Sequence, residues 1–159
     1  MPTMDERKQM IQKIKDLSVK LENVLKGLSD AQLDTPYRDG GWTVRQVVHH
    51  LADSHMNAFL RFKFMLMEDV PKIKTYDQDT WAKSTEYAMP LDSSLTLLRG
   101  LHARWGIMLD AVSEHDWETR KADHPENGIV TMDRMLQIYS GHGEKHCGHI
   151  MGLRDRMDW

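Results

Sequence analysis

The run TVRQVVHHLADSHMNAFLRFKFMLME, residues 43–68, reads as one long amphipathic helix and sets the class of the whole chain. Thr43 with Gln46 three residues on is a capping box, in which each side chain satisfies an otherwise unpaired amide of the first turn. Val44, Val47, Leu51, Ala58, Phe62 and Met65 fall on one apolar stripe at helical spacing. The next proline is Pro71, so nothing interrupts the helix before about Glu68.

Three more helices flank it. Ile11, Ile14, Leu17, Leu21, Val24 and Leu25 predict a first helix from about Asp5 to Leu28. Ser29 then caps a short turn, and residues 35–41, TPYRDGG, form a loop rich in helix breakers. After the second helix comes a connection over residues 69–91, holding Pro71, Pro90 and a short turn near Asp77–Trp81. Leu95, Leu98, Leu101, Trp105, Met108 and Leu109 mark a third helix from about Asp92 to Val112. Residues 113–130 read as irregular, with a turn at His124–Gly128, and Thr131 caps a fourth helix running from Met132 to about Arg156. Helices without a convincing strand predict an all-α four-helix bundle in one domain over residues 1–159. The 69–91 connection is too long for a hairpin loop and is read as a crossover.

Composition narrows the function classes. The chain has 159 residues, 40% apolar and 28% charged, an ordinary globular balance that needs no disulfide. The net charge of -3 and the lack of a Lys/Arg run give no reason to expect nucleic acid. No stretch reaches the ~18 apolar residues of a membrane span, so no membrane partner is expected. The charged start MPTMDERKQM is no secretory signal, and the single cysteine, Cys147, fits a reducing cytoplasm. Twelve methionines are read as core filler.

The nine histidines carry the chemistry. His142, His146 and His149 stand at i, i+4 and i+7 of the fourth helix, within about 60° of one another. A His-x-x-x-His pair on successive turns can bind one metal ion; the blander alternative is a solvated face or a stack of core histidines. Gly143 stands where a zinc protease would place its general-base glutamate, which leaves protease chemistry unsupported. Gly141, Gly143 and Gly148 each disfavour helix by about 1 kcal/mol relative to alanine, so close approach of a neighbouring helix or room for a ligand is expected there. On the second helix, His50 lies at the edge of the apolar stripe, beside Asp53, Ser54 and Asn57. His49 points well away from the stripe and is rejected, while His55 falls near its middle, where packing and ligation are both open. His102 shares a face with Leu98 and Trp105 and lines the same interior. His115 and His124 fall in loops, and Cys147 points about 100° from His146, as a small buried residue would.

Residues 40–55, GGWTVRQVVHHLADSH, together with the His142/His146 helix, resemble the YfiT group of the DinB superfamily. The resemblance runs from about Gln32 to His149. It implies an up-down-down-up bundle, homodimeric, holding one divalent metal ion, zinc or nickel, on His50, His142 and His146. The chain departs from the group in carrying Gly143, Glu144 and Lys145 where relatives are richer in histidine, and it begins later. Two activities follow as expectations: transfer of a low-molecular-weight thiol of the bacillithiol type to an electrophile, or hydrolysis of an amide or ester. A non-catalytic metal-binding or dimerisation bundle is the alternative. Asp53 and Glu144 are the carboxylates nearest the triad in sequence and stand as weak catalytic candidates; His55, His102 and His149 are candidates for the surrounding pocket.

Overall fold

The computed structural model describes residues 2–159. Helix α1, Met4–Leu25, begins at a capping box of Thr3 and Glu6 and buries Ile11, Ile14, Leu17, Leu21 and Leu25. It ends before Gly27, whose φ of 84° lies in the left-handed region that suits glycine. A second capping box, Ser29 with Gln32, starts the one-turn helix α2, Asp30–Leu33. Helix α3, Val44–Met67, opens on the Thr43–Gln46 box read from the sequence. The crossover holds a short helix α4, Gln78–Trp81, capped by Asp77, and a 3-10 turn at Thr85–Ala88. Helix α5, Asp92–Asp110, and helix α6, Glu114–Thr119, follow. Strands β1, Lys121–His124, and β2, Gly128–Thr131, then lead into α7, Met132–Met157.

The strands correct the reading of residues 113–130 as irregular. They form an antiparallel hairpin with Ala122 opposite Val130 and His124 opposite Gly128. Each strand is four residues long and buries a single side chain, Ala122 or Val130. Alternation that short leaves no period to detect. The hairpin also anchors the crossover, because the Ile73 amide donates to the Asp123 carbonyl at 2.8 Å and the Asp123 amide to that of Pro71 at 3.0 Å.

Contacts between the four long helices give their directions. Arg7, Lys13 and Val24 of α1 meet Asp133, Glu144 and Arg154 of α7, so these two run parallel. Lys15 and Glu22 of α1 meet Asp110 and Arg99 of α5, an antiparallel pair. His49, His55 and Phe62 of α3 meet Ser94, His102 and Trp105 in order, a parallel pair. His50 and Arg61 meet His146 and Tyr139, again antiparallel. The bundle is therefore up-down-down-up, with α1 and α3 on a diagonal and each packed on α5 and α7. Parallel neighbours explain the long crossover: α3 is roughly 36 Å long at 1.5 Å per residue, and the chain must travel back along it before α5 can start.

The core is divided. One apolar cluster joins Ile11 and Ile14 with Phe59, Phe62, Trp105, Met135 and Leu136; the other joins Leu17 and Leu21 with Val47, Leu51, Leu98, Cys147 and Ile150. On α3, α5 and α7 the break falls at His55, His102 and His142. At one end Arg7, buried between α1 and α7, bonds Asp133 at 2.7 Å and Glu114 at 2.5 Å.

Candidate metal centre

Helices α3 and α7 run antiparallel and cross so that the first third of α3 faces the middle of α7. That places His50 opposite the 142–146 turn. The Nε2 atom of His142 lies 3.2 Å from Nε2 of His50 and 3.2 Å from Nε2 of His146. Each of the three residues offers one nitrogen, all within 4.8 Å of one another, and among the described residues this is the group able to hold one ion. On its other side the 142–146 turn packs against α1, where a Cβ at Gly143 would run into the Leu17 side chain. Gly141 and Gly148 are exposed and face open space, so close approach of a neighbouring helix accounts for neither.

The electrostatics suit a cation. Burial pushes His50, His142 and His146 down to about 3, and the charge each neighbour would carry adds to the effect. All three rings are neutral near pH 7 and present lone pairs. Metal–imidazole bonds of about 2.0–2.1 Å at a tetrahedral angle separate the nitrogens by roughly 3.3–3.4 Å, close to the spacing found. The donor set therefore fits a borderline divalent ion.

The other candidates take distinct places. His55, fully buried, bonds His142 Nδ1 at 3.2 Å through Nε2 and His102 Nε2 at 3.0 Å through Nδ1. His102 Nδ1 donates to the Ile14 carbonyl at 2.6 Å. His149 stacks on Tyr37, with ring centres 4.3 Å apart and planes 3° from parallel. Asp53 accepts a 2.7 Å bond from the Tyr87 hydroxyl, and burial raises its pKa against the opposing pull of that bond. Glu144 turns to α1, where Lys13 at 2.9 Å and Lys20 at 3.3 Å hold it below the usual carboxylate range. Neither carboxylate joins the three histidines. Cys147 is buried, and burial pushes its thiol up to about 11. His115 is exposed, whereas His124 is half-buried and its Nδ1 accepts from the amides of Glu126 and Asn127.

His49 differs from the reading that set it well off the apolar stripe. It is buried, with its ring bonded to the Ser94 hydroxyl at 2.8 Å and the Met89 carbonyl at 3.0 Å. The first half of α3 is enclosed on nearly every side, including by the crossover, so a one-sided stripe does not describe it. Sequence reasoning also passed over Trp42, whose ring lies 4.6 Å from that of His50 and walls the site. Its only signal was a tryptophan placed one residue before the α3 cap. Arg61, bonded to the Tyr139 hydroxyl at 2.6 Å, was missed as well.

Comparison with known proteins agrees with this architecture. A "Putative metal-dependent hydrolase" of Oceanobacillus iheyensis is 46% identical over 151 residues, 95% of this chain and 87% of the relative. One of Bacillus mycoides is 45% identical over 149 residues, 94% of this chain and 86% of the relative. The solved structure of YfiT from Bacillus subtilis, described as "a probable metal-dependent hydrolase with an unusual four-helix bundle topology", superposes with a TM-score of 0.96 at 40% identity, covering 100% of this chain and 91% of that one. The family model of the DinB superfamily matches residues 15–150, a span containing most of each long helix and all three convergent histidines, and the chain accordingly belongs to the DinB superfamily.

Proposed function

We propose that residues 1–159 form one metal-binding unit and that His50, His142 and His146 hold a single divalent ion, zinc or nickel, in an enzyme that activates a small nucleophile. The observation that carries this reading is the convergence of three neutral Nε2 atoms, with no fourth protein ligand among the described residues. Neither His55 nor His149, whose participation would close the site, belongs to the group. Three protein ligands with open positions are the catalytic pattern rather than the structural one. When bound, the ion supplies Lewis acidity that lowers the pKa of a thiol or a water held beside it.

The nucleophile we assign is a low-molecular-weight thiol, of the bacillithiol kind, transferred to an electrophilic small molecule. Sulfur bonds to the electrophilic carbon as that carbon's bond to a halide, or to the ring oxygen of an epoxide, breaks. The electron pair of the broken bond goes to the halide or oxygen. The thiol proton passes to solvent, and an opened epoxide oxygen takes one up to become a hydroxyl. The protein's own groups favour this because a thiolate needs no general base. Asp53 is engaged by Tyr87, and Glu144 by Lys13 and Lys20. Trp42 and the buried wall of α3 keep bulk water from the inner side of the triad. Hydrolysis of an amide or ester is the second reading, and the names given to the relatives favour it. The expected homodimer has a candidate surface in Met56, Leu60, Phe64 and Met67, exposed apolar side chains at helical spacing on α3. Among the described residues no helix is long and apolar enough to cross a membrane, and the buried free cysteine accords with a cytoplasmic location.

Metal analysis of the wild type beside His50→Ala and His142→Ala tests the centre. Near-stoichiometric zinc or nickel is expected in the wild type alone, and equal occupancy in all three overturns it. Candidate thiols paired with a bimane or epoxide acceptor then test the chemistry. A metal-dependent thioether adduct is expected; ester cleavage lost in His50→Ala, with no adduct from any thiol, transfers the assignment to hydrolysis.

A further inference from the structure

Behind the three convergent nitrogens runs a line of imidazoles that the proposed chemistry does not use. It begins at the backbone carbonyl of Ile14 on α1, passes through His102 on α5 and His55 on α3, and ends on His142 of α7. The successive contacts are 2.6, 3.0 and 3.2 Å. His55 and His102 are both almost wholly enclosed, at 0% and 1% exposure, so water does not substitute for these partners.

The chemistry of the far end fixes the whole line. A carbonyl oxygen only accepts, so the proton of a neutral His102 sits on Nδ1. Its Nε2 is then bare and accepts, which puts the proton of His55 on Nδ1. The Nε2 of His55 is bare in turn and accepts from Nδ1 of His142. His142 is left with its Nε2 lone pair facing His50 and His146. With neutral rings no other assignment satisfies all three contacts. The other two members of the triad have no such support: Nδ1 of His50 and Nδ1 of His146 are buried without a hydrogen-bond partner.

We propose that His55 and His102 are positioning residues, which lock His142 as the Nδ1–H tautomer and aim its Nε2 lone pair at the metal-binding position. His142, whose Nε2 makes the contacts to both His50 and His146, is thereby the pre-set member of the triad, to which the other two adjust. The inference rests on the metal reading above. Outer partners of this kind orient a ligand ring and raise its basicity, and their loss weakens metal binding by about 10–100-fold.

Two measurements test it. Long-range nitrogen–proton correlation spectra of the 15N-labelled, metal-free wild type report which ring nitrogen carries each proton. Nδ1–H is expected at His102, His55 and His142; Nε2–H at His142 overturns the proposal whatever the protein binds. Zinc affinity, read by competition with a chromophoric chelator, is then compared among variants whose folding is checked by circular dichroism. His55→Phe and His102→Phe are expected to bind zinc about 10–100-fold more weakly. His55→Gln, whose side-chain carbonyl can still accept from His142 Nδ1, is expected to restore affinity to within a few-fold of the wild type. Equal affinity in His55→Phe and the wild type overturns the proposal, as does failure of the glutamine rescue in a folded protein. Should the wild type bind no zinc, the metal reading fails, and the spectra alone judge the tautomers.

Discussion

Asp133→Ala is expected to lower stability by about 3 kcal/mol, because it strands a charge that folding has taken out of water. Arg7 and Asp133 are 5% and 4% exposed, and the guanidinium reaches the carboxylate through two nitrogens. Glu114 stays bonded to Arg7 but is exposed, so it compensates only in part and holds the loss to the low end for a broken buried pair. The midpoint of urea unfolding measures it; a shift within error of zero means that Glu114 alone satisfies Arg7. At this scale the sequence was informative where spacing speaks. His142 and His146 lie one turn apart, and any helix must put them side by side. It was silent on pairings across roughly a hundred residues, such as Arg7 with Asp133 or His102 with Ile14, which depend on how the helices are arranged. His55 shows the boundary: its central place on the stripe announced burial, but not that each of its nitrogens meets another histidine.

Helix α7 offers a matched set of substitutions. Gly143→Ala brings a methyl against the buried Leu17 side chain, with contacts of 2.4 to 3.0 Å, and overpacking there is expected to destabilise by about 1–3 kcal/mol despite better helix propensity. Gly141→Ala and Gly148→Ala meet open space on an exposed face and are expected to stabilise by about 0.5–1 kcal/mol each. Thermal melting of the three variants gives the sign directly; stabilisation by Gly143→Ala would mean that α1 and α7 can part at no cost. Helices were the legible elements, since caps such as Thr43–Gln46 and stripes of six apolar positions span several turns. The β1–β2 hairpin escaped because each strand offers one buried residue and is held by its docking on Pro71 and Ile73. Residues 114–119, read as irregular, fold into α6 around one buried residue, Trp117.

For the molecule as a whole, the buried histidines couple folding to pH. His49, His50, His55, His102, His142 and His146 all have folded-state values below the ordinary 6.5, with burial the largest cause in each. Between about 6.5 and about 3 the unfolded chain therefore holds protons that the folded chain does not. Stability is full above the unfolded value and falls as pH drops through this window, by about 1.4 kcal/mol per pH unit for each proton taken up on unfolding. The melting temperature of the metal-free protein is expected to fall steadily from pH 7 to pH 5; a flat or rising profile would contradict the neutral, buried state assigned to these rings. The all-helical class and the number of long helices could be read from periodicity, but their directions could not, because a helix has the same stripe whichever way it points.

The break in the apolar interior has one more consequence. Histidines from three helices and a carbonyl from the fourth meet at a single height. Sliding α3, α5 or α7 by a turn, about 5.4 Å, would carry its imidazole in among methyl and aromatic carbons and leave the others facing a void. A uniformly greasy interior tolerates such slippage, whereas a seam of directional bonds does not. The histidine layer thus acts as a vernier for the bundle, giving the three rods that carry its imidazoles one axial setting.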